Sequence, residues 1–197
     1  MQEEPLQLSP MFTLIIETST EKGLAALGKR DKLLSYKHLE GGKELSRVLA
    51  LAVDRLLEGR KPALIGVGQG PGSYTGTRVG TALAIGLKMG FQVPLVGFCS
   101  LEAFGPRPVL IDAKKGGFYA LLGDETALLA PQDPSLSNLP RIGSPHPELI
   151  RKRLPETLCE ERFPDPERLM RLVWDLRGQG LQLPPKNVQN PACTPLI

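Results

Sequence analysis

Apolar and polar positions along the chain change their period several times, and each change marks an element. "MFTLII", residues 11 to 16, is an unbroken apolar run that predicts a strand buried on both faces. "GLAALGKR" and "KLLSYKHL" follow at short spacing across charged turns, so the chain opens with a predicted three-stranded meander. The period then lengthens. In residues 44–58, "ELSRVLALAVDRLLE", Leu45, Val48, Leu49, Ala52 and Leu56 recur at helical spacing, with Arg47, Asp54 and Glu58 on the far side. This amphipathic helix is entered through Gly41 and Gly42 and closed by Gly59. "ALIGVG" predicts another strand, residues 77–88 a second helix, and "VPLVGF" a further strand. The order β-β-β-α-β-α-β is that of an α/β protein with a mixed sheet.

The second half is less regular. "RPVLIDAKKGGFYALLGDE" predicts a strand, a turn at Gly116-Gly117 and another strand, whereas residues 130–147 are proline-rich, weakly periodic and read as surface cover. A final helix is expected from Asp165 to Leu176, because Leu169, Leu172, Val173 and Leu176 share one face and Pro166 suits its first turn. A boundary near residues 100–106 divides the chain into an N-terminal lobe, 11–104, and a shortened C-terminal lobe, 105–197. Residues 1–10 read as a frayed polar tail, and "LPPKNVQNPACTPLI" as extended or irregular chain.

Composition narrows the picture. With 41% hydrophobic and 23% charged residues in 197, the chain has the make-up of an ordinary soluble globular protein. Its net charge of +3 is too small to mark a nucleic-acid binder. Arg141, Arg151, Lys152, Arg153, Arg162, Arg168 and Arg171 make the C-terminal part locally basic, which reads first as a solvated helical surface and second as a tRNA or phosphate contact. Cys99, Cys159 and Cys193 are odd in number and lack C-x-x-C spacing, so neither a disulfide framework nor a zinc site is indicated and a reducing cytoplasm fits. The N-terminus is acidic where a signal peptide needs positive charge, and no stretch approaches the roughly 20 apolar residues of a membrane span.

The densest candidate chemistry is "GQGPGSYTGTRVG", residues 68–80. A Walker A loop places Lys and then Ser or Thr after its last Gly; here Thr77 and Arg78 follow Gly76. The dinucleotide fingerprint fails as well, since Pro71 and Gly72 occupy the wrong slots. What remains is a strand, a tight turn through Gly70 and Gly72, and a helix start bearing Ser73, Thr75 and Gly76. Such a start caps the helix or holds an anion. Within the helix Gly76, Gly80 and Ala84 form one small-residue ridge, and Ala82, Gly86 and Gly90 form another. Each interior Gly costs roughly 1 kcal/mol against Ala, so both ridges predict close approach of other backbone, from the sheet, the first helix or another chain.

Catalytic groups are sparse. Asp112, at a strand end, is a candidate base or magnesium-water ligand, with turn capping as the plainer reading. His38 and His146 are too far apart for the His-x-x-x-His metal pair of a metallopeptidase helix.

"IIETSTEKGLAAL", "GQGPGSYTGTRVGTALAIGLKMGFQVPLVGFCSLEAF", "LIDAKKGGFYA" and "NVQNPA" together resemble the TsaB family, bacterial proteins required for threonylcarbamoyladenosine in tRNA. The resemblance runs from about residue 11 to 192 and is thin between 125 and 185. It implies an actin-like ATPase fold of two ribonuclease-H-like lobes. It also implies a non-catalytic scaffold that activates a TsaD-type threonylcarbamoyltransferase paralogue, with a TsaE-type ATPase as third member. No cofactor of its own is implied, ATP or ADP and metal being expected on the partner subunits, and tRNA contact is indirect or weak. The family pairs with TsaD through its two N-lobe helices, which puts Leu45, Val48, Leu49, Ala52, Gly76, Arg78, Gly80 and Ala84 at the partner interface. A homodimer in the absence of the partner stays open. Glu17-Thr18-Ser19-Thr20 has a side chain where active actin-like ATPases carry Gly near the first turn, and Glu17 replaces the shorter Asp usual in the family. Glu44 stands where the family often has His. Met11 opens the segment matching the usual family start. The competing readings are a small ATP-dependent phosphotransferase and, less favoured, a metallopeptidase.

Overall fold

The computed structural model describes residues 11–137 and 139–178, so the expectations for residues 1–10, for the tail with "NVQNPA" and for Cys193 lie outside the described residues. The predicted meander is present as β1 (Phe12–Glu17), β2 (Lys22–Lys29) and β3 (Lys32–Glu40), all antiparallel. Helix α1 (Leu45–Leu57) leads to β4 (Pro62–Gly68), and α2 (Tyr74–Phe91) to β5 (Leu95–Phe98). Both strands run parallel to β1, giving the order β3-β2-β1-β4-β5. A parallel neighbour requires a crossover, and the two amphipathic helices supply it on one face of the sheet. That face buries Leu14, Ile16, Leu27, Ile65 and Val67 with Leu49 and Val53 of α1. The intervening positions Ile15, Leu24, Ala26, Leu64 and Val96 fill a second cluster on the opposite face, which is why β1 carries no polar alternation.

The second sheet repeats this plan. Strands β6 (Val109–Asp112), β7 (Phe118–Leu122), β8 (Glu125–Leu129), β9 (Ile142–Ser144) and β10 (Cys159–Glu161) lie in the order β10-β9-β6-β7-β8. β6, β7 and β8 are antiparallel and β9 and β10 are parallel to β6, as in the first sheet. Its crossovers have shrunk to a single 3-10 turn at Pro134–Leu136 and the five-residue α3 (Pro147–Arg151). The expectation that residues 130–147 only cover the surface needs correction. Ile142 is fully buried in β9, a strand too short to show a period, and Gly143 within it leaves room for the Arg162 guanidinium.

Helix α4 (Pro166–Asp175) is capped by Asp165, whose carboxylate accepts the N–H groups of Glu167 and Arg168, each at 3.0 Å. It returns to the first sheet. Leu169, Met170 and Val173 are fully buried with Ile15, Leu24 and Leu64, and the glycines at 28 and 66 make space in the strands for the Met170 and Val173 side chains. Division at residue 104 therefore separates the two sheets, but α4 belongs by packing to the first, whose second apolar face it covers. Arg168 ties it there, donating to the Glu102 carbonyl at 2.8 Å and pairing with the Glu102 carboxylate at 2.5 Å, which Arg107 also holds at 2.6 Å. Among the described residues no helix is long and apolar enough to cross a membrane.

Met170→Ala is expected to cost about 2–4 kcal/mol in urea denaturation, in one transition, as for other large-to-small changes at fully buried sites. A loss confined to a separate late transition would show that α4 folds independently of the first sheet.

Candidate functional site

Because β1 and β4 are parallel neighbours in register, Ile16 opposite Val67, their ends deliver Glu17-Thr18-Ser19 and the segment from Gly68 to Gly72 to one place. α2 starts there, one turn earlier than its period suggested. Ser73 is its N-cap: the hydroxyl accepts from the Gly76 N–H at 3.2 Å and the carbonyl from the Thr77 N–H at 2.9 Å. Thr75 is exposed in the first turn.

The space beside the glycine turn is filled from within. The Ser73 N–H donates to the Ser19 carbonyl at 2.5 Å, and the Thr18 hydroxyl donates to the Gly76 carbonyl at 2.8 Å. Gly70 exchanges two bonds with Ser100, its N–H to the hydroxyl at 2.9 Å and its carbonyl from the N–H at 2.8 Å. A Cβ on Gly72 would overlap the Ser19 carbonyl, on Gly76 the Thr18 carbonyl, on Gly80 the Thr18 hydroxyl, and on Gly68 the Glu17 carboxylate. The glycines therefore let one stretch of backbone lie directly on another. Of the two readings of this turn, capping and close packing describe the structure. At the helix start the Ser19 carbonyl takes the Ser73 N–H.

Glu17 is fully buried, with Oε1 accepting the Ser19 N–H at 2.6 Å. Its Oε2, Ser19 Oγ and Thr77 Oγ1 are buried without a hydrogen-bond partner. Burial pushes the carboxyl up from its ordinary range, against the opposing pull of the Ser19 backbone N–H. Among the described residues no group of three or more His, Cys, Asp or Glu is placed to hold a metal.

Other candidates are engaged elsewhere. Asp112 pairs with Arg153 at 2.6 Å, and the same nitrogen donates to the carbonyls of Lys114 at 2.8 Å and Gly117 at 3.0 Å, so Asp112 and Arg153 together staple the β6–β7 turn. His38 stacks edge-on between Tyr36 and Phe163, while His146 lies near Glu148 at 3.5 Å and Glu21 at 4.0 Å. Cys99 and Cys159 are free thiols whose ionisation burial disfavours. The basic C-terminal part is largely paired: Arg141 and Arg162 with Glu160, Arg171 with Glu167, Arg168 with Glu102.

The interface residues expected from the resemblance separate into two groups. Leu45, Leu49 and Ala52 are buried in the chain's own core, as are Gly76, Gly80 and Ala84 against β1 and its turn. In this conformation the chain itself covers these six, the three of α1 in the core and the three of α2 against β1 and its turn. Val48 is half-buried and Arg78 exposed, the latter stacked over the Tyr74 ring at 4.7 Å and bonded to its hydroxyl. The open ridge is the other one. Ala82 is exposed, and a Cβ on Gly86 or Gly90 would find no heavy atom within 4 Å. Met89 beside it is 73% exposed. The signal that separates the ridges is the cap: residues 76, 80 and 84 follow Ser73 along the face that starts against Ser19.

Two sheets of one strand order, the second with reduced helices, define a protein of the actin-like, ribonuclease-H-like class. A family model described as TsaD, tRNA N6-adenosine threonylcarbamoyltransferase, matches residues 42–124. The tRNA threonylcarbamoyladenosine biosynthesis protein TsaB of Escherichia coli strain K12 is 30% identical over 123 residues, covering 55% of this chain and 53% of that protein. The protein of the same description from Haemophilus influenzae is 33% identical over 95 residues, covering 46% and 40%. The solved structure of YeaZ from Pseudomonas aeruginosa has the same fold, with a TM-score of 0.65 at 23% identity over 87% of this chain and 95% of that one. The chain thus spans about half the length of the curated relatives it matches. Within the actin-like class, these likenesses support the TsaB (YeaZ-like) family for this chain.

Two predictions follow from the interlock. The folded protein binds the Glu17 proton more tightly than the unfolded chain, so its contribution is full below the unfolded carboxyl pKa of about 4.3 and is lost as pH rises through the folded value. Glu17→Gln keeps the acceptor and adds a neutral donor, so the variant should need more urea than the parent at pH 8 and lose that advantage toward pH 4. Parallel pH profiles would show that Glu17 ionises without cost. Gly76→Ala should destabilise by ~3 kcal/mol, since backbone opposes its Cβ, whereas Gly86→Ala should stabilise by up to about 1 kcal/mol. Equal melting shifts in calorimetry would mean the two ridges have been exchanged.

Proposed function

We propose that this chain is a non-catalytic, TsaB-type accessory subunit that binds and positions a TsaD-type threonylcarbamoyltransferase for N6-threonylcarbamoyladenosine formation in tRNA. The observation that carries this reading is the open face of α2, where Ala82, Gly86 and Gly90 present bare backbone beside Met89. They form a surface that a second pair of helices can approach closely. The close backbone packing at the glycine turn supports the same reading.

ATP or ADP and metal then belong to the partner subunits, with a TsaE-type ATPase as the third member, and tRNA contacts this chain weakly or indirectly. The assembly works in the cytoplasm. Without its partner the same α2 face pairs two copies of the chain.

Size-exclusion chromatography with light scattering, on the protein alone and mixed with its TsaD-type counterpart, tests the proposal together with ATP turnover of each sample. A mixed complex with no turnover by this chain alone is the expected result. Gly86→Leu should abolish that complex while the melting temperature stays within a few degrees. ATP hydrolysis by this chain alone with no complex would overturn the reading in favour of a phosphotransferase.

A further inference from the structure

The outer edge of the first sheet offers a second open surface, separate from the α2 face. β3 is the last strand of its sheet, and its outward backbone groups have no strand beside them among the described residues. Between this edge and α1 runs a groove of about 760 Å³, lined among others by Leu34, Lys37, Leu51, Arg55, Leu56 and Arg60. That size is within the range of binding clefts. The pairing of β2 with β3 is irregular here: Leu27 faces Ser35 and Gly28 faces Leu33, so Leu34 has no counterpart in β2 and lines the groove. Leu34 is 54% exposed, which with Leu51 gathers two of the large exposed apolar side chains of the fold at one trough.

The charges along the groove are one-sided. Glu58 neutralises Arg60 at 2.7 Å, but neither Lys37 nor Arg55 has a carboxylate within ion-pairing distance among the described residues. Lysines on an edge strand discourage neutral strands from adding to it, and at the same place they favour a strand that brings carboxylates. A second copy is disfavoured by the same charges, because β3 carries Lys32 and Lys37 against a single Glu40.

We propose that this groove binds an extended segment of another polypeptide, which adds as a sixth strand along β3. Its apolar side chains rest on Leu34, Leu51 and Leu56, and its carboxylates meet Lys37 and Arg55. Backbone hydrogen bonding supplies affinity, and the spacing of acidic and apolar side chains supplies selectivity.

Selection from a random octapeptide display library on the immobilised protein tests this, with the Lys37→Glu/Arg55→Glu double variant as counter-target. Both positions are exposed, so circular dichroism should show the variant folded. Acidic, apolar-rich octapeptides should be enriched on the parent. They should bind the double variant at least ten-fold more weakly, bind Gly86→Leu unchanged, and shift amide resonances of residues 32–40 and 48–56. Loss of binding on Gly86→Leu would place the peptides on the α2 face and overturn the proposal. No enrichment, enrichment indifferent to charge reversal, or a concentration-dependent dimer dispersed by the double variant would overturn it as well. Failure of the partner complex proposed above leaves this test unaffected.

Discussion

One contact organises the molecule: the turn after β1 lies against the start of α2, backbone upon backbone, from Glu17 to Thr18 and Ser19 on one side and from Gly68 to Gly80 on the other. Side chains larger than hydrogen at those glycines would push the two apart. The contact fixes where α2 leaves the sheet, and so which of its faces is spent on the core. It also brings backbone onto backbone at the glycine turn, the stretch that looks most like a ligand cradle in the sequence. The same contact buries Glu17 in a place where ionisation is disfavoured, a local strain that the surrounding packing carries.

Much of this was legible in the residues. The apolar run of β1, the period of α1, the glycine caps and the Asp165 start of α4 each obey a local rule, and all appear near where the pattern puts them. β8, β9, α3 and β10 did not announce themselves, because elements of three to five residues are shorter than any period they could display. The repeat of strand order between the two sheets was hidden for the same reason. Which ridge of α2 faces inward is a tertiary matter. Both ridges consist of small residues at helical spacing, and only the position of Ser19 beside Ser73 tells them apart.

The candidate chemistry was thinned by pairing rather than by distance. Asp112 and the arginines of the second half looked available in sequence, yet each of the arginines at 141, 153, 162, 168 and 171 has a carboxylate partner in the fold. Among the described residues, what stays open includes the small-residue face of α2 and the β3 edge beside α1. A helix face and a groove beside a strand edge equip a protein to meet other chains.

The return of α4 to the first sheet bears on how the chain is made. Part of the cover over the second face of β1, Leu169, Met170 and Val173, comes some 150 positions after that strand in the chain. Until then the cluster around Ile15, Leu24 and Leu64 lacks its α4 members. The first lobe therefore closes on contacts of long sequence separation, which slows folding and leaves part of an apolar sheet face open to chaperones until α4 is made.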